Sequence, residues 1–266
     1  MMTMISRVVR ILAMATCFMN PLRADDNTLP LMNRLILESV RQMPVRGGYS
    51  TSAAANRALN QAVTTSDGIL KVDASRAIPS YCSGATYLVL LKTLSGLQSS
   101  GKLTLSPEIA AALRPAGQPD GTGIWGRWNA NGPGTARLFH ELGLGPNFTD
   151  LRTALPGDFL KIFWSDAIGS TEHGHSVIYL GTETKEGIDH LRFWSSNIPG
   201  GYGEKSVPRS KIRRMLFSRL ENPVNINRTL PSRTDSYLAS LVHRSSDPAE
   251  MARQCGLGNS PGRLVR

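Results

Sequence analysis

Apolar residues first recur with a helical period at Leu29, Met32, Leu35, Ile36, Val40 and Met43, with Pro30 suited to a first turn and Pro44 followed by Gly47-Gly48 as a stop. A second, shorter helix is predicted from Ser52 to Val63, and Tyr49 sits in the Gly-flanked loop between the two. Thr64 to Ile78 is polar and turn-rich. The next stretch, Ser80-Tyr81-Cys82-Ser83-Gly84-Ala85-Thr86-Tyr87-Leu88-Val89-Leu90-Leu91, continues apolar through Leu94 and Leu97 to a stop at Ser99-Ser100-Gly101. Pro79 enforces a non-helical approach and Ser80 and Ser83 are cap-type residues, so a buried helix starting near Cys82 is predicted; Tyr87 to Leu91 taken alone also fits a strand. Ser106-Pro107-Glu108 marks another helix start, leading into Ile109 to Leu113, and Thr135 to Leu142 another helix closed by Gly143 and Gly145.

Between these lies Arg114 to Pro133, rich in Gly, Pro and Asn, with Trp125 and Trp128 embedded in it. A loop of that length is functional or disordered, and two tryptophans argue for order. It reads as a substrate-binding wall, with a cover over the edge of the core as the alternative. From Leu155 the period changes to strands at Phe159 to Trp164, His175 to Leu180 and His190 to Ser195, joined by short loops as in an antiparallel meander. Helices first and a meander afterwards define an α+β class. Beyond Leu220 the composition turns to Asn, Pro, Ser and Arg, and only Tyr237 to Val242 suggests a further helix.

Composition changes this picture mainly at the start of the chain. Arg7 and Arg10 precede an apolar run from Ile11 to Met19, and Leu22-Arg23-Ala24 precedes Asp25-Asp26, the pattern of a secretory leader cleaved after Ala24. The run is shorter than the roughly 20 apolar residues of a membrane span, and Met14-Ala15-Thr16 before Cys17 is a poor lipid-attachment signal. Removing residues 1–24, which hold three arginines and no acidic residue, takes the net charge from +10 to +7. An exported protein of that charge suits anionic envelope polymers. The scattered arginines, without an aromatic-interleaved stripe, argue against nucleic acid.

Cys82 and Cys255 then remain, either as one disulfide or as two thiols. As a thiol, Cys82 is a candidate nucleophile: the helix N-terminus favours its thiolate, and a base must come from elsewhere. Of five histidines, His175 is best placed, opening its strand directly after a Gly-containing turn; His140, on the helix beside Phe139, reads as surface or packing. If the next strand returns through a turn centred near Lys185, His175 lies opposite Ser195, with Asn197 one pleat further on the same face; a slip of one promotes Ser196. Ser195 and Asn197 are therefore the candidates to orient the imidazole. Tyr81 and Ser83, flanking the cysteine, join Tyr49, Trp125 and Trp128 as candidate substrate-binding residues. Glu172, His173 and His175 could supply metal ligands, but no second His/Cys cluster completes a zinc site, and no cofactor is called for.

Three segments together resemble the papain-like cell-wall hydrolases of the NlpC/P60 and CHAP type. Ser80-Tyr81-Cys82-Ser83-Gly84 resembles the family's cysteine motif, Pro156-Gly157-Asp158-Phe159-Leu160 its entry into the first core strand, and Gly174-His175-Ser176-Val177-Ile178-Tyr179-Leu180-Gly181 its histidine strand. The resemblance covers about Asp67 to Ser196. Tyr81 stands where the family often has aspartate, and the third polar position falls among Trp194, Ser195, Ser196 and Asn197 rather than on a histidine. The resemblance implies a papain-like fold and amide hydrolysis through an acyl-enzyme. Cys82 attacks, His175 shuttles the proton and the Cys82 backbone N–H helps stabilise the oxyanion.

The implied organisation is a leader (1–24), an N-terminal helical segment (25–66), a catalytic domain (67–220) and a basic tail open to disorder (221–266). The implied activity is a secreted or periplasmic cysteine peptidase or amidase on peptidoglycan peptides, without stable membrane insertion once the leader is gone. A non-catalytic wall-binding module gripping its ligand with Trp125 and Trp128, and an acyltransferase on the same scaffold, are the alternatives.

Overall fold

The computed structural model describes residues 28–117, 121–228, 230 and 234–257. The leader, its cleavage point and Cys17 lie outside these residues. Helix α1 (Leu31–Arg41) forms where the first apolar stripe predicts it and buries Ile36 and Leu37. A short strand β1 (Arg46–Gly47) follows, then α2 (Ala53–Gln61), capped by Ser52 Oγ accepting from the Ala55 N–H. The polar stretch after it is a hairpin, β2 (Val63–Ser66) and β3 (Ile69–Val72), turning at Asp67-Gly68 with both residues at positive φ. The expected boundary after residue 66 falls inside this hairpin.

The central element is α3 (Cys82–Ser99), buried along almost its whole length from Ser83 to Leu94. A helix apolar on all sides is stable only when covered on all sides. Around it lie α1, joined through Ser39 Oγ and Thr93 Oγ1 at 2.9 Å, the small hairpin and α5 (Gly123–Asn129), with α4 (Pro107–Ala112) set against the hairpin and α5. Helix α6 (Gly134–Leu142) packs on α5 and ends at Gly143, whose φ of 65° gives the left-handed cap.

The sheet closes the other side of α3. Its strands are β4 (Asn147–Phe148), β5 (Phe159–Phe163), β6 (His175–Lys185), β7 (Ile188–Asn197), β8 (Gly201–Pro208) and β9 (Arg214–Ser218), in the order β1-β8-β7-β6-β5-β9-β4, with every pair antiparallel. Phe159, Ile178 and Trp194 join the core beneath α3, while Leu160, Ile162, Val177, Tyr179 and Phe193 form a second cluster on the opposite face. The protein is thus α+β around a seven-stranded antiparallel sheet.

The segment after residue 220, expected as a tail, is instead built into the fold. Helices α7 (Ser236–Ser240) and α8 (Pro248–Gln254) pack against the helical layer and the sheet edge. Asp235 caps α7 through the Leu238 N–H and pairs with Arg137 on α6 at 3.0 Å, and Asn147 donates to the Cys255 carbonyl. The apolar residues that secure the segment, Tyr237, Leu238, Leu241 and Met251, are too widely spaced among polar ones to register as a core pattern. No helix among the described residues is long and apolar enough to cross a membrane.

Candidate active site

Cys82 occupies the first turn of α3, after Tyr81 in extended conformation (φ −139°, ψ 166°). Its backbone N–H is one of those a helix cannot pair internally, and the helix dipole favours negative charge there. Both Cys82 and Cys255 are free thiols: Cys82 is partly exposed, whereas Cys255 is buried in a separate cluster with Ala136, Phe163 and Met251. The disulfide alternative is not realised.

His175 opens β6 immediately after Gly174, whose φ of 74° swings the chain into the strand. The imidazole is packed between the Trp164 ring, centroids 6.4 Å apart, and the Phe193 edge at 5.6 Å. Its Nε2 lies 3.1 Å from Asn197 Oδ1 at the end of β7. The Asn197 amide is itself fixed, because Nδ2 donates to the carbonyls of Ser195 (3.2 Å) and Gly203 (2.9 Å), leaving Oδ1 for the ring. Nε2–H thereby donates to Asn197, and Nδ1 is the nitrogen left for the thiol.

The residue that meets the His175 ring is therefore Asn197 rather than Ser195, and the cause is register. The β6–β7 turn is the two-residue Glu186-Gly187, both at positive φ, flanked by the pair Lys185 and Ile188. An irregularity between Tyr179 and Gly181 then inserts Leu180 as an extra residue on β6, taking the register back by one so that Ile178 faces Trp194. Extending that register brings His175 opposite Asn197. Ser195 is fully buried and donates to the Ser176 carbonyl at 2.7 Å, and Ser196 is buried with its hydroxyl unpartnered.

The Cys82 thiol is pulled in two directions. Burial raises it, but the hydrogen bond and charge interaction with His175, then the charge of Lys161 and the Ser176 backbone N–H, outweigh burial and bring it down to about 6. Tyr49 also meets it: burial, followed by the proximity of Cys82 and a hydrogen bond with it, pushes the phenol well up, so the phenol stays neutral and able to donate. Tyr49 is delivered by backbone bonds from its N–H to the Pro199 carbonyl and from the Ser50 N–H to the Ser80 carbonyl. Beside His175 opens a cleft of about 180 Å³, lined among others by Tyr49, Trp164, Asn197, Ile198 and Lys205. Trp164 and Ile198 are exposed at its mouth.

The other expected substrate contacts are corrected. Tyr81 is buried and its hydroxyl donates to Asn56; Ser83 is buried and donates to Asn129. Trp125 and Trp128 are core residues around Tyr87, and Trp128 Nε1 donates to the Ser83 carbonyl at 3.0 Å. The glycine-rich stretch folds into α5 with Arg127 buried between Glu141 and the carbonyls of Gly121 and Gly123, which turns both indoles inward. The surface that a wall-gripping module needs is absent at these two residues. His173 Nε2 meets the Ser170 carbonyl, and the Glu172 carboxylate accepts from the N–H groups of Trp164 and Gly174. Among the described residues, no three His, Cys, Asp or Glu side chains cluster to hold a metal ion.

Lys161, on β5, is a site residue the sequence reading passed over; its signal is a lone charge in Phe159-Leu160-Lys161-Ile162-Phe163. Compared with known protein families, characterised proteins and solved structures, the chain matches none.

Proposed function

We propose that this protein is a papain-like cysteine hydrolase of the NlpC/P60 type, cleaving amide bonds in peptidoglycan peptides. The observation that carries the proposal is the connected set of Cys82, His175 and Asn197 on three elements, with the thiol depressed to about 6. The shift favours the ionised thiol at neutral pH.

The Cys82 sulfur attacks the scissile carbonyl carbon, and the developing oxyanion sits against the Cys82 backbone N–H. His175 Nδ1 delivers a proton to the leaving amine as the C–N bond breaks, leaving a thioester. Water then enters, gives a proton to His175 and adds to the thioester, and departure of the sulfur frees the acid. Asn197 holds the ring so that the same nitrogen serves both steps. The leader-like start and basic charge support an envelope substrate.

Purified sacculi incubated with the wild type are expected to release muropeptide fragments that Cys82→Ala does not release. Equal release by the two proteins, or none by the wild type, removes the proposal. Product masses carrying an added amine acceptor in place of water assign acyl transfer instead.

A further inference from the structure

Strand β5 is buried along its whole length, yet its third residue is a lysine with 6% of its surface exposed. Alternation places Lys161 with Phe159 on the sheet face beneath α3, and it is registered opposite Ser176. The ammonium donates to Ser176 Oγ at 3.2 Å. Its stem is wedged against the turn before His175: a Cβ on Gly174 would lie 2.6 Å from Lys161 Cε. No carboxylate of the described residues forms an ion pair with it within 4.0 Å. The charges that act on it are Cys82, from the head of α3, and Glu172, from the turn before β6, and both carboxylate oxygens of Glu172 already accept backbone N–H bonds. A buried ammonium without a carboxylate partner persists only where another negative charge stands near.

We propose that Lys161 is a positioning residue whose buried ammonium is the standing countercharge of the Cys82 thiolate, keeping the sulfur ionised before substrate arrives. The inference rests on the reading of Cys82 as the nucleophile. Ser176 joins the two groups, since its hydroxyl accepts from Lys161 while its backbone N–H is turned to the sulfur. The other titratable groups facing the sulfur are His175 from β6, Tyr49 from the loop after β1 and Tyr81 from the residue preceding α3. Burial pulls the Lys161 amine down from the ordinary lysine value, and the charges of Cys82 and Glu172 oppose that pull. The thiolate consequently does not depend on His175 alone.

The test is the rate of Cys82 alkylation by iodoacetamide between about pH 5 and 9, followed on the Cys82 peptide by mass spectrometry, which requires no substrate. The wild-type inflection is expected near 6. In Lys161→Met it moves up by about one pH unit, slowing the reaction at pH 6 about fivefold while leaving the rate at the alkaline end within about twofold. Lys161→Gln, which retains a donor to Ser176, gives the same displacement and stands in if the methionine variant does not fold. The displacement persists in a His175→Ala background. A wild-type inflection near the free-thiol value of about 8.5 overturns the proposal. So does a folded Lys161 variant whose profile superimposes on the wild type, or a displacement that vanishes without His175. An inflection near 6 with inert sacculi removes the assigned hydrolysis and leaves the charge pair standing.

Discussion

Replacing Asn197 separates what this residue does for the ring from what it does for the sheet. In Asn197→Ala the imidazole loses the partner at 3.1 Å that selects its tautomer, and the carbonyls of Ser195 and Gly203 lose their side-chain donor. The carbonyls lie where β7 meets β8, and losing two such bonds costs about 2 kcal/mol, allowing for the ladder and neighbouring solvent that still serve them. For a chain of this size that lowers Tm by about 4 to 8 °C. The kinetic effect is larger: a ring free to turn away from the sulfur costs about a hundredfold in turnover, equivalent to about 2.7 kcal/mol of transition-state stabilisation.

Asn197→Asp keeps an acceptor for Nε2 but sets a carboxylate oxygen against two carbonyl oxygens, so it is expected to be less stable than the alanine variant. Initial rates of fragment release, normalised to folded protein, and thermal melts of the two variants measure both effects. Ser195→Ala, which removes only the bond to the Ser176 carbonyl, serves as the control and keeps turnover within about threefold. A folded Asn197→Ala protein equally close to wild type refutes the orienting role.

Two further outcomes test the structure independently of the substrate. Gly174→Ala forces a left-handed φ of 74° on a side chain whose Cβ would meet Lys161 Cε at 2.6 Å; a loss of about 2 kcal/mol is expected, read as a Tm lower by about 4 to 8 °C. Burial pushes the Cys255 thiol up to about 12, so peptide mapping after iodoacetamide treatment at neutral pH is expected to find Cys82 modified and Cys255 unmodified until the protein is denatured. Labelling of native Cys255 at a rate comparable to Cys82 contradicts its placement against α6 and α8.

Cys82 and His175, the proposed nucleophile and base, were legible because each lies at an element boundary with a strong local signal: Pro79 shortly before α3, and Gly174 before β6. Their orienting partner was not fixed, since the hairpin turns at Glu186-Gly187 rather than at Lys185, which by itself would carry His175 past Asn197 to Ile198, and the extra β6 residue at Leu180 takes one position back. Neither displacement changes hydrophobic alternation enough to announce itself. The tryptophans misled for a related reason. A Gly-rich segment reads as loop, but tertiary burial of Arg127 on Glu141 and two carbonyls makes it a short helix that points aromatic mass inward. Lys161 was passed over because a single charge in an apolar strand is indistinguishable, without the partner strand, from a residue at a solvated edge.

Tyr49, Cys82, Lys161, His175 and Asn197 come from positions spread over more than half the chain, and the β1 segment that delivers Tyr49 is paired to β8. The proposed reactive centre is therefore complete only when the β5–β6–β7 strands, the head of α3 and the β1–β8 pairing are all in place. An excised piece running from residue 67 to 220, although it spans every sequence motif, lacks the Tyr49 side of the centre and the C-terminal helices that support the sheet edge.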